Sequence, residues 1–179
     1  MDKQTSQKWL DRLYTVRDFF VGWKFQKMTL EDFKKYAKTP WKLWLFWMLG
    51  MRYIFDDKDY AQSPDETWKR RGGDCEDMAR FCRDKLVALG YEAVLFRAEW
   101  NEINDQGIKA HITCIFHLDG VIENKWRYMG TGPNEYRLGG LSLLEIAKRM
   151  VGSQKLVEYG TMEVRPKDHK LFYVEKWRV

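Results

Sequence analysis

Cys75 stands in the run Gly72-Gly73-Asp74-Cys75-Glu76-Asp77, and His111 follows some way downstream. The acids and glycines around Cys75 predict the first turn of a helix with Asp74 as its N-cap. A thiol there feels the positive end of the helix dipole and unpaired backbone N–H groups, both of which favour the nucleophilic thiolate. An imidazole brought alongside by the fold would complete a nucleophile–base pair. The two glycines allow a sharp entry and a close approach by a substrate backbone. The N–H of Cys75 could then donate to an oxyanion.

The same residues have a second reading. On a helical wheel, Cys75, Met78, Ala79, Cys82, Leu86 and Leu89 form one narrow stripe, which taken alone favours an inert buried thiol; the two glycines shift the balance toward a reactive one. Cys82 and Cys114 read as core. Spacing argues against zinc binding by Cys75, Cys82 and His111, since the two cysteines would lie about 10 Å apart along the helix.

The elements that must position these residues can be read from periodicity. Trp9, Leu10, Leu13, Val16 and Phe20 recur at helical spacing and predict an amphipathic helix over 6–21. Thr29 caps a short helix that ends before Pro40, and a very apolar helix follows to about Ile54. Ser63-Pro64-Asp65-Glu66 is a capping box, and the cysteine helix runs to about Leu89 with Gly90 beyond its end. Strands are expected over 92–100, 111–118, 121–128, 156–164 and 171–179, with a short helix over 142–150. Asp119-Gly120 is a two-residue hairpin signal that would pair Leu118 with Val121, and so His111 with Tyr128. Helices first and antiparallel strands after indicate an α+β fold.

Composition sets further bounds. The chain has 179 residues, which fits a single domain with a sizeable core. An N-terminal helical part over 1–55, a core over 56–130 and a C-terminal helix with closing strands over 131–179 are expected. Aromatic residues make up 16%, which argues against disorder. The formal net charge is +5, and the charges are interspersed, so a mixed solvated surface is expected and no nucleic-acid groove. Three cysteines without paired spacing fit a reducing compartment. No secretory leader is seen, and the apolar run from Trp41 to Met51 is shorter than the about 20 residues a membrane span needs. These features indicate a cytoplasmic protein of bacterial or phage type. If the Trp41–Trp47 helix were exposed, it would instead suggest an assembly role.

Gly73-Asp74-Cys75-Glu76-Asp77, then Ala79, Leu86 and Gly90, then Ala110-His111, together resemble the transglutaminase-like (papain-like thiol) superfamily. Ser63-Pro64-Asp65-Glu66-Thr67 is similar to its bacterial cysteine-proteinase branch. The resemblance covers roughly residues 55–130. It implies a papain/transglutaminase-like core, with the Cys75 helix packed on an antiparallel sheet that carries His111. It also implies a thiolate–imidazolium pair that cleaves a peptide or amide bond in a protein or peptide substrate. By the same resemblance, Glu123 or Asn124 would orient the imidazole, and Gln62 would offer its amide to an oxyanion. Asp74, Glu76 and Asp77 would bind calcium. The same acids also serve as an N-cap and as first-turn charges that complement the helix dipole. In the two-residue hairpin, Asn124 shares the face of His111 at roughly 13 Å, and Glu123 faces the other way. A catalytically inactive binding or assembly protein of the same fold is the alternative. His117 reads as a strand histidine near a turn, and His169 as part of an exposed loop.

Overall fold

The computed structural model describes residues 8–9, 11–13, 15–16, 23–55, 60–101, 107–117, 125–130 and 140–179. Residues 8–9, 11–13 and 15–16 are helical, with Trp9, Leu13 and Val16 exposed. The other residues of the amphipathic helix expected over 6–21, Leu10 and Phe20 among them, lie outside the described residues.

Three short helices follow. They are α1 (Trp23–Gln26), α2 (Leu30–Tyr36) and α3 (Pro40–Gly50). Thr29 and Thr39 each accept a backbone N–H from the first turn of α2 and α3 respectively. Leu43, Trp44, Phe46 and Trp47 of α3 are buried, so this helix is a core element and its face is not open for assembly; of its large apolar side chains only Trp41 is exposed. Among the described residues, no helix is long and apolar enough to cross a membrane.

The expected boundary at Ile54 is wrong: α3 stops at Gly50, and Met51 turns to extended backbone. Arg52–Tyr53 forms strand β1, paired in parallel with β2 (Gly72–Gly73). The physical reason is a ladder made far along the chain. Arg52 N–H donates to Arg71 O at 2.9 Å and Ile54 N–H to Gly73 O at 3.0 Å, bonds that outweigh one more helical turn. Between these strands lies α4 (Pro64–Arg70), and after β2 comes α5 (Cys75–Val87).

The remainder is a five-stranded antiparallel sheet, β3 (Glu92–Asn101), β4 (Ile108–His117), β5 (Arg127–Met129), β6 (Lys155–Val164) and β7 (Leu171–Arg178), in the order β5-β4-β3-β6-β7. Helix α6 (Leu143–Val151) lies between β5 and β6 in sequence. One sheet face carries Leu95, Ile112, Cys114 and Phe116 under α5 and the early helices. The other carries Phe96, Ala98, Ile115 and Tyr128 under α6. The result is an α+β fold with helix on both faces of one antiparallel sheet.

Two strand expectations need correction. β4 begins at Ile108, so His111 lies inside the strand and does not open it. The hairpin register is also different: Ile115, not His111, pairs with Tyr128, and Cys114 pairs with Met129. Burial selects this register, because Ile115 and Tyr128 share the cluster under α6 while Cys114 and Met129 share the one under α5. The Asp119-Gly120 turn itself lies outside the described residues.

Candidate active site

The entry to the cysteine helix is built by local chemistry. Arg71 caps α4 in the left-handed conformation at φ 55°, and Gly72 and Gly73 follow as β2. A Cβ on Gly73 would stand 2.3 Å from Asp77 Oδ2, and one on Gly72 would stand 2.3 Å from Arg52 O. The glycines are therefore demanded by packing within the protein.

Asp74 accepts the N–H groups of Glu76 at 3.1 Å and Asp77 at 3.4 Å, and the Asp77 side chain accepts the N–H of Asp74 at 3.2 Å, which closes a capping box. Asp77 is fully buried. Its Oδ1 also accepts the Gln62 N–H at 2.7 Å, and its Oδ2 accepts the Gln62 side-chain amide. Gln62 is itself buried, and among the described residues its Oε1 has no hydrogen-bond partner. The amide expected at an oxyanion is thus engaged with Asp77.

Three groups meet at Cys75. Its sulfur accepts the backbone N–H of Ile112 and a hydrogen bond from the Tyr53 hydroxyl, while the Tyr53 oxygen accepts the N–H of Cys75. The Ile112 N–H is in reach because β5 pairs only with Cys114, Ile115 and Phe116, leaving the β4 edge uncovered by that strand at 112. Tyr53 was not picked out from the sequence. The expected continuation of α3 hid it, and its place follows from the register Tyr53↔Gly73. The N–H read as an oxyanion donor is thereby occupied by a phenol oxygen.

The surroundings of Cys75 oppose the expected thiolate. Burial pushes the Cys75 thiol up to about 12, reinforced by the charges of Asp74 and Glu76. The Ile112 N–H and the Tyr53 hydroxyl pull the other way without reversing the shift. A helix N-terminus favours the thiolate on its own, but here loss of hydration dominates. Tyr53 is likewise held protonated, first by burial and then by the neighbouring Cys75 and Asp74. Burial raises Cys82 and Cys114 too, in keeping with their core reading.

His111 is half-buried and stands opposite Ala98 in the β3–β4 ladder, with its Nε2 shielded from solvent. Strand alternation sends Ile112, Cys114 and Phe116 toward α5, and assigns His111 to the face of Ala98 and Ile115. The thiol therefore meets the histidine's strand one residue along from the histidine. Glu123 and Asn124 lie outside the described residues.

The other histidines are structural. His117 Nε2 lies 2.9 Å from Glu92 Oε2, and its ring packs edge-on against Trp126. His169 is not a free loop residue. Its ring stacks on Tyr60 at 5.4 Å, its carbonyl accepts the Ala61 N–H, and its Nδ1 lies 3.3 Å from Arg80 Nη1. Arg80 also donates to Ala61 O at 2.7 Å.

Asp74, Glu76 and Asp77, the expected calcium ligands, are each engaged or buried within the protein. Asp77 points inward onto Gln62, Asp74 caps its own helix, and Glu76 is only 8% exposed. Among the described residues, no group of three or more His, Cys, Asp or Glu converges as a metal site.

Fold and site together define an α+β protein whose helix-borne thiol abuts the edge strand region of an antiparallel sheet. No protein-family model matches the chain, and no curated protein matches it. Solved structures of Legionella pneumophila LapG are similar to it. The EGTA-treated form is 17% identical, with 93% of this chain and 86% of that chain covered and a TM-score of 0.45. The calcium-bound form is 17% identical, with 95% and 90% covered and a TM-score of 0.49.

Proposed function

We propose that the chain is a cytoplasmic thiol hydrolase of the transglutaminase-like, papain-like type, acting on a peptide or amide bond in a protein or peptide. The observation that carries this reading is the placement of Cys75. It sits in the first turn of α5 with its sulfur on the N–H of Ile112, next to His111.

In this reading His111 takes the thiol proton as the sulfur bonds to the carbonyl carbon. Because the resting thiol is protonated, proton transfer accompanies attack and no ion pair is formed beforehand. The imidazolium then protonates the departing amine as the C–N bond breaks. Water adds to the acyl-enzyme, and the thiol is regenerated. Glu123 or Asn124 is the proposed orienting group. A substrate carbonyl displaces the Tyr53 hydroxyl from the Cys75 N–H, and the imidazole reaches the thiol around the β4 edge.

The test is labelling of Cys75 by a peptide-like acylating probe, site-resolved by mass spectrometry, in wild type and His111→Ala. The expected result is covalent labelling that slows by about a hundredfold or more in the variant. Equal rates in the two proteins would sink the pairing.

A second reading, a catalytically inactive fold used for binding, is favoured by one observation. Tyr53 occupies both the N–H and the sulfur of Cys75, as a stable plug would. Absence of labelling even after Tyr53→Phe would establish that reading instead.

A further inference from the structure

Away from Cys75, a cavity of about 290 Å³ is lined by Gln26, Gly50, Arg52, Arg70 and Arg71. Three of these five residues are arginines, and none is acidic. None belongs to the group gathered at the thiol. Three arginines lining one cavity concentrate positive charge there, and each stays charged at any physiological pH.

One of them is fixed in place. The Arg71 guanidinium lies 3.8 Å from the centre of the Trp68 ring, and that ring stacks on buried Phe46. Its Nη2 donates to Met28 O, and its backbone is anchored in the left-handed cap of α4. Its Nη1 is buried and has no hydrogen-bond partner among the described residues. A buried guanidinium nitrogen left unmet costs free energy that an incoming acceptor recovers. The fixed fork also loses little entropy on binding. Arg52 and Arg70 are exposed and line the same cavity.

The number of donors selects the ligand class. A carboxylate carries one negative charge, and its two oxygens match the two parallel N–H groups of one arginine fork. Three arginines call for an anion with more oxygens and about two charges. We propose that this cavity binds a phosphoryl group, either as free phosphate or as a small phosphate monoester. The proposal is independent of the thiol chemistry.

Isothermal titration of the whole protein with inorganic phosphate, ethyl phosphate and acetate, at matched ionic strength, tests it. Saturable binding is expected for both phosphates and not for acetate. Tighter binding of ethyl phosphate would show that the cavity also holds the ester group, and equal binding would show that it reads the phosphoryl group alone. Arg70→Gln, at an exposed position, should weaken binding by about tenfold while leaving the melting temperature without phosphate unchanged. Arg71→Gln should abolish binding, but Arg70→Gln decides the matter if that variant fails to fold. No saturable heat with either phosphate, or an unchanged affinity in Arg70→Gln, would overturn the assignment.

Discussion

Tyr53 is the side chain on which the behaviour of Cys75 turns. Its hydroxyl bridges the backbone and the sulfur of the same residue. Tyr53→Phe should speed labelling of Cys75 by a carbonyl-like electrophile, since the N–H becomes available. It should also cost about 1–2 kcal/mol of stability from the lost hydrogen bonds, measured by denaturant unfolding. The raised thiol makes a second prediction. Its folded value of about 12 exceeds the ordinary value near 9, so the unfolded chain loses this proton first as pH rises. Its contribution to stability is complete below pH 9 and is lost as pH climbs toward 12. Wild type should therefore lose stability more steeply than Cys75→Ala above pH 9, by at most about 1.4 kcal/mol per pH unit. Equal slopes would show that the thiol is not held protonated. Cys75 and its Asp74 cap were legible in the sequence because the signals are adjacent. Tyr53 was not, because its role depends on a ladder to Gly73, made across the whole of α4.

At the scale of elements, the entry to α5 is one interlocked unit. Asp77 closes the capping box and also pins the segment before α4 through Gln62. Asp77→Ala should thus destabilise more than Asp74→Ala, by about 3 kcal/mol against about 1 kcal/mol in chemical denaturation. Gly73→Ala should be nearly as harmful as Asp77→Ala, since its Cβ would strike the Asp77 carboxylate. The capping box at Ser63 and the cap at Asp74 were readable because they are local patterns of a few residues. The β4–β5 register was not, because it is chosen by which residues share a buried face on each side of the sheet. The helix-to-strand switch after Gly50 escaped for the same reason: its partner strand is distant in sequence.

For the whole molecule, the order of elements made the α+β class legible, while the helix on each sheet face emerged only from the packing. The carboxylates that suggest a cation site are consumed within this architecture. Calcium at millimolar concentration, or its chelator, should therefore leave the melting temperature unchanged. A calcium-dependent rise would show that Asp74, Glu76 and Asp77 reorganise to bind it. The clasp of Tyr60, Ala61 and Arg80 on His169 has a temporal consequence. His169 lies in the turn between the last two strands, whereas the residues it holds precede or belong to the cysteine helix. During synthesis, the early half of the chain leaves the ribosome long before its clasp exists. The thiol region thus takes its final form only when the closing hairpin arrives, so an unfinished chain carries an unassembled site.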